Sequence, residues 1–313
     1  MNFSGEGMRW SVRWKWLLER RRQHPPDEIH LAGERAEQRL AKISRAAGKA
    51  NGWHVFESVR IPDREQGGMR EIDLVIVGGN RMLVVEQKHW SGSFEINADE
   101  EFIQHRKNGT THNHSTVNQR IQRKAKMLEA MHCERWGEGE EIEVKVILAF
   151  TNRNLAWPEN VDVLSSTVLD EAGFIAYLED ERSGQLNDNL LATIAGFGTW
   201  DEILLNGGRS QKGDLLDLGL GVEIERWLTG RTEALTGDIS HKKAWRSLLS
   251  KAPSSIELQH GSHRLAAQLP YGLALKMHVV GEEQPREILW STIDRLKVSK
   301  PPTSQGMLPQ HET

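Results

Sequence analysis

The chain has 313 residues, a length that suggests roughly two domains. Its 40 basic and 44 acidic side chains nearly balance, which excludes a uniformly basic, histone-like binder but leaves room for local basic patches. With 38% hydrophobic and 27% charged residues it is no disordered polyelectrolyte, and no apolar run approaches the ~18 residues of an integral membrane segment. The N-terminus lacks the apolar core of a signal peptide, and the single cysteine, Cys133, excludes an internal disulfide or a multi-cysteine zinc site. The expected compartment is a reducing cytoplasm.

Residues 1–30 form a basic, tryptophan-rich segment. Trp10, Trp14, Leu17 and Leu18 fall on one helical stripe before the breaker His24-Pro25-Pro26. Three readings compete: a helix docked on its own protein with Trp10, Trp14 and Leu17 buried, an arm for nucleic acid or anionic lipid, or a helix that docks a partner. From Asp27 to Ala50 the stripe Ala36, Leu40, Ile43, Ala47 predicts a helix that stops near Gly48. A strand follows at Trp53–Ile61, then a loop at Asp63–Gly68. Glu71–Val77 and Met82–Gln87 read as two strands joined by the tight turn Gly78-Gly79-Asn80.

After a polar loop, Thr116–Met131 is helical, with Val117, Ile121, Ala125 and Leu128 on one face. Val144–Phe150 is apolar throughout, as in a buried central strand; Val161–Leu164 is a shorter strand, and Asp170–Leu178 and Leu186–Ile194 are helices. The order predicts an α/β domain over 31–206, a mixed sheet flanked by helices with a βαβ crossover. Gly207–Gln211 reads as a linker to a smaller β-rich module at 212–300. That module has helices at Val222–Leu228 and Lys242–Leu249, and strands at Ser255–Gln259, Arg264–Gln268, Leu273–Val280 and Arg286–Val298. Residues 301–313 read as a disordered tail.

Chemistry concentrates between Asp73 and Lys88. Glu86 and Lys88 are two apart on one strand and point the same way. Antiparallel pairing about Gly79 brings Asp73 opposite Glu86. A surface salt bridge is the plainer reading, but the flanking residues are apolar on both faces, and charges within buried strands need partners or a metal.

Asp73, the triplet Glu86-Gln87-Lys88 and an upstream helical glutamate resemble the PD-(D/E)xK nuclease pattern. The run Val84-Val85-Glu86-Gln87-Lys88-His89-Trp90-Ser91-Gly92 is similar to the signature of the NERD family, the nuclease-related domain, which reads E-x-K-x-W-x-G after an apolar strand. Gly33–Leu40 resembles the family's opening helix, with Glu37 at its glutamate; Glu71-Ile72-Asp73 matches its strand, with Ile72 where a literal P-D pattern has proline. Ser115–Gln119 resembles the start of a helix that carries a glutamine, with Thr116 in place of the usual proline. The resemblance spans about Gly33 to Thr167.

It implies a PD-(D/E)xK restriction-endonuclease-like fold and a metal-dependent nuclease acting on nucleic acid, DNA ahead of RNA, in DNA processing or defence against foreign DNA. Mg²⁺ or Mn²⁺ would be held by Asp73 and Glu86, with the Gln87 backbone carbonyl a third ligand and Glu37 reaching the same sheet end. Lys88 would orient or deprotonate the attacking water, or stabilise the transition state; a pKa lowered beside the dication would favour the base role. Gln119, Arg123 and Lys126, opposite the apolar stripe of their helix, read either as a solvated face or as a phosphate-contacting edge. The rival class is a catalytically silent nucleic-acid-binding module that keeps the fold. A homo-oligomer remains open. His112-Asn113-His114 spells HNH without that family's spacing, and with His105 it offers at most an adventitious metal site.

Overall fold

The computed structural model describes residues 10–302 other than 27, 138, 140, 160, 162, 163, 165, 181 and 182. The chain divides into two compact units, Glu28–Thr199 and Met1–Asp27 with Trp200–Pro301. The division falls at 199/200, not at Gly207–Gln211. Gly207-Gly208 is the turn of a hairpin whose two strands, β9 and β10 below, belong to one sheet. The turn signal was real, but a turn inside a sheet and a linker share the same residues.

In the first unit, the long helix α2 (Glu28–Lys49) leads into β1 (His54–Pro62), β2 (Met69–Gly78) and β3 (Arg81–Lys88). Helix α3 (Val117–Trp136) then crosses to β7 (Glu143–Phe150), followed by β8 (Thr167–Asp170), α4 (Glu171–Asp180) and α5 (Asp188–Ala195). The sheet order is β1-β2-β3-β7-β8, antiparallel through β3 and parallel beyond it. The crossover through α3 is what makes β3 and β7 parallel. Val75, Val77, Met82, Val84, Val146 and Leu148 pack on one face against Ile121, Ala125 and Leu128 of α3 and Leu190 and Ile194 of α5. Leu74, Ile76, Leu83, Val85, Ile147 and Ala149 pack on the other against Leu40 and Ala41 of α2 and Phe174 and Leu178 of α4. Both faces are covered, which accounts for the continuous apolar runs of the central strands. The hairpin turn needs glycine: Gly79 has φ +58°, and a Cβ there would sit 1.8 Å from the Ser183 carbonyl oxygen.

One expectation here is corrected. The polar loop between the third strand and α3 holds a three-stranded antiparallel sheet, β4 (Ser93–Ile96), β5 (Phe102–His105) and β6 (Thr111–His114), with His112-Asn113-His114 on its last strand. Strands of four residues give too short a pattern to show periodicity. The expected strand at Val161–Leu164 lies largely outside the described residues, and β8 takes the sheet edge.

The second unit is an eight-stranded antiparallel sheet. Its strands are β9 (Asp201–Leu205), β10 (Ser210–Asp217), β11 (Leu235–His241), β12 (Ser254–His260), β13 (His263–Leu269), β14 (Ala274–Val279), β15 (Arg286–Leu289) and β16 (Ile293–Val298), in the order β13-β12-β11-β16-β9-β10-β14-β15. The expected single strand Arg286–Val298 is two, because a 3-10 turn at Trp290–Thr292 carries the chain from beside β14 to a place between β11 and β9. Trp290 is buried there, its indole N–H donating to the Leu218 carbonyl at 3.0 Å. Helices α6 (Val222–Thr229) and α7 (Ala244–Leu248) stand where the sequence pattern predicts them.

Helix α1 (Trp10–Arg21) belongs to this second unit. Trp16 and Leu17 are buried against Tyr271, with Leu248 beside them. The Asn206 side chain donates to the Arg20 and Arg22 carbonyls at 2.8 and 2.7 Å, fixing the end of the helix. The docked-helix expectation is met for Leu17 and corrected for Trp10 and Trp14, which are 60% and 51% exposed. Residues 1–9 and the expected tail from 303 onward lie outside the described residues.

Candidate functional site

The β2–β3 ladder ends at Leu74↔Val85, while the β3–β7 ladder continues to Glu86↔Leu148 and Lys88↔Phe150. The end of β3 is therefore held on one side only, and side chains supply the rest. The Gln87 backbone N–H donates to Asp73 Oδ2 at 2.7 Å. Glu86 and Lys88 lie on the α3 side of the sheet, and Lys88 Nζ donates to Glu86 Oε1 at 2.7 Å. From α3, Lys124 Nζ donates to Glu86 Oε2 at 2.9 Å. The Gln87 side chain turns to the other face, buried, and donates to Thr151 Oγ1 at 3.2 Å.

Burial and neighbouring charge together set the protonation of this group. Burial, and then the Glu86 carboxylate, push the Asp73 carboxyl up to about 7; Lys88 and the Gln87 amide oppose this, and Glu37 adds to it. Burial also disfavours the Glu86 carboxylate, but Lys88 and Lys124 outweigh it and hold the group below its ordinary value. Burial disfavours the Lys88 ammonium as well, yet Glu86, Asp73 and Glu37 outweigh it and raise its pKa. Lys88 is thus held as a cation among these carboxylates; the lowered pKa expected of it belongs to the site with a dication beside it. Glu37, half-buried on α2, acts on both Asp73 and Lys88.

The tryptophan and glycine that follow Lys88 shape the exit from β3. Trp90 stacks on His114 with ring centres 4.2 Å apart and meets Phe150 edge-on at 5.2 Å; Phe94 stacks on Phe150 at 4.9 Å. Gly92 has φ +90°, and a Cβ there would lie 2.0 Å from the His105 carbonyl oxygen. Only glycine lets β5 approach so closely. These two residues therefore tie the end of β3 to the small sheet.

The three residues expected on the solvent face of α3 do not join the cluster. At 100° per residue, Gln119, Arg123 and Lys126 lie roughly 150° around the helix from the Val117–Leu128 stripe, whereas Lys124 lies roughly 55° from it. Gln119 and Lys126 are exposed. Arg123, expected as a nucleic-acid contact, is engaged within the fold. Its guanidinium grips Asp63 through both nitrogens at 2.8 and 2.7 Å and reaches Glu65 at 3.0 Å. Asp63 also accepts from Arg70 Nε at 2.8 Å and the Gln66 amide at 3.0 Å. Lys124 was missed, though its place on the flank of the buried stripe, three residues after Ile121 and four before Leu128, was readable.

Among the described residues no three His, Cys, Asp or Glu side chains are gathered as a ready metal-binding group. The donor chemistry still fits a hard dication. Asp73, Glu86 and Glu37 offer carboxylate oxygens only, and burial, then the neighbouring Glu86 carboxylate, keep the Asp73 carboxyl protonated to about 7. A dication offsets the carboxylates' negative charge.

Residues 32–151 match the model of the NERD family, the nuclease-related domain. The matched segment runs from α2 through the end of β7, and so contains Glu37, Asp73, Glu86, Lys88 and Lys124. No curated protein and no solved structure matches the chain.

Proposed function

We propose that this nuclease-related domain hydrolyses phosphodiester bonds in nucleic acid, DNA ahead of RNA, with Mg²⁺ or Mn²⁺ held by Asp73, Glu86 and the Gln87 carbonyl. The observation that carries the reading is the meeting of Asp73, Glu86 and Lys88 at one sheet end, with the Asp73 carboxyl pushed up to about 7. When bound, the dication supplies charge neutralisation on the phosphate and a more acidic water. Asp73 gives up its proton as the site fills, and the Gln87 N–H keeps one of its oxygens oriented. Lys88, restrained by Glu86, would orient or deprotonate the attacking water or stabilise negative charge on the transferring phosphate. Glu37 adds negative charge from α2, strengthening the pull on the cation. Such an activity suits DNA processing or defence against foreign DNA.

A second reading, a binding module without catalysis, draws support from Glu86, both of whose oxygens are bonded to lysines. The two separate in one experiment: single- and double-stranded DNA and RNA are incubated with the protein in Mg²⁺, Mn²⁺ or EDTA. Cleavage that needs the divalent ion and is lost in Lys88→Ala, with metal binding retained, supports the nuclease. Salt-sensitive binding with no cleavage of any substrate supports the module.

A further inference from the structure

We propose that α1 and α7 together form a docking surface for an anionic lipid bilayer. Trp10, Trp14, Leu18, Trp245 and Leu249 are between 51% and 69% exposed and lie on α1, α7 or the residue that caps α7. The two helices touch, because the Arg13 guanidinium donates to the Leu248 carbonyl and Leu248 packs beside Trp16 and Leu17. On α1 the side chains of Trp10, Trp14 and Leu18 span roughly 80° of the helix, on a flank that docking of Trp16 and Leu17 leaves in water. Clustered exposure of this kind marks an interaction surface.

Charge names the occupant. Residues 10–22 and 242–251 carry nine lysines and arginines against one acid, Glu19. Of the nine, Arg20 pairs with Asp294. A second copy of the chain would set this basic surface against itself, so a symmetric dimer through it is disfavoured. An anionic surface is complementary. Single-stranded nucleic acid is anionic too, but base stacking uses aromatic faces and gains nothing from Leu18 and Leu249. Two of the indoles already carry a guanidinium, with Arg13 5.6 Å from the Trp10 ring centre and Arg246 5.5 Å from that of Trp245. An interfacial layer rewards indoles and aliphatic side chains alike, with lysine and arginine at the headgroups. No helix among the described residues is long and apolar enough to cross a membrane, so the contact is adsorption rather than insertion across the bilayer.

The test uses the full chain with vesicles of phosphatidylcholine alone or phosphatidylcholine with phosphatidylglycerol, followed by co-sedimentation. A second readout is quenching of tryptophan fluorescence by lipid brominated in its acyl chains. The expected result is binding to the anionic vesicles only, weakened by salt, with quenching that is lost in the double variant Trp10→Ser, Trp14→Ser. Lys243→Ala and Arg246→Ala should each weaken partitioning roughly fivefold. All four positions face solvent, so the variants should melt with the wild type, and the α7 pair serves if the α1 pair does not. Equal binding to both vesicle types overturns the proposal. So does absence of vesicle binding together with single-stranded oligonucleotide binding that the same variants abolish.

Discussion

Asp63 and Asp73 are the same side chain on either side of one loop, the first just after β1 and the second well inside β2, and the fold treats them oppositely. Asp63 is fully withdrawn from solvent, but two arginines and the Glu65 and Gln66 backbone amides saturate it, and its carboxyl is held well below the ordinary range, chiefly by Arg123. Asp73 accepts one amide and is faced by Glu86 and Glu37, so burial and like charge push it up to about 7. One carboxylate is paired by its own chain; the other is left short of positive charge. The first arrangement holds α3 to the loop before β2, and the second is the kind that binds a cation.

The sharpest break of this comparison is Asp73→Asn. Divalent-dependent cleavage should fall by at least roughly a hundredfold, and the rise in melting temperature that Mg²⁺ gives the wild type should vanish. The variant should nonetheless fold as well as the wild type at pH 7.5, because a buried charge has been removed. EDTA should reproduce the loss of cleavage in the wild type. Arg123→Ala is the mirror experiment. It should lower the melting temperature, because Asp63 stays buried with fewer partners, while cleavage per folded molecule is kept.

Melting temperature followed against pH separates the two carboxyls by sign. Asp73 keeps a proton in the folded chain that the unfolded chain releases near pH 4, so its contribution to stability falls as pH rises from about 4 through about 7. Asp63 contributes fully above the unfolded value and loses its contribution as pH falls below it. The wild type minus Asp73→Asn should therefore slope downward from about pH 4 to about 7 and level off above, and the wild type minus Asp63→Asn should change only in acid. Lys124→Ala comes next. Freeing one Glu86 oxygen should tighten Mg²⁺ binding a few-fold, as judged by calorimetry, and unchanged affinity would show that Lys124 does not compete with the cation. The smallest effect belongs to Lys126→Ala, which should alter substrate affinity by no more than the loss of a single backbone contact.

The candidate triplet of Asp73, Glu86 and Lys88 was legible because strand alternation and a two-glycine turn suffice to place Asp73 opposite Glu86 and to set Lys88 on the same face as Glu86. The long helices and central strands were legible for the same reason, since their apolar periods run over many residues. Short strands were not. β4, β5 and β6 hold four residues each, and β9, β10 and β11 carry polar side chains that a sheet accepts once its neighbours are in place. The loop Asp63–Gly68 gave no sign that its first residue would organise Arg70 and Arg123.

Local patterning thus decided which segments become helix or strand, where the hairpin turns, and which face of β3 carries charge, because these depend on neighbours within a few residues. Folding alone decided which cation meets which carboxylate. On α3, Arg123 and Lys124 are adjacent in sequence, yet one grips Asp63 and the other Glu86. It also decided that α1 buries Trp16 and Leu17 rather than the Trp10–Trp14 stripe. A helix with apolar residues on two flanks does not say which one its partner will cover, and here Tyr271, more than 250 residues away in sequence, made the choice.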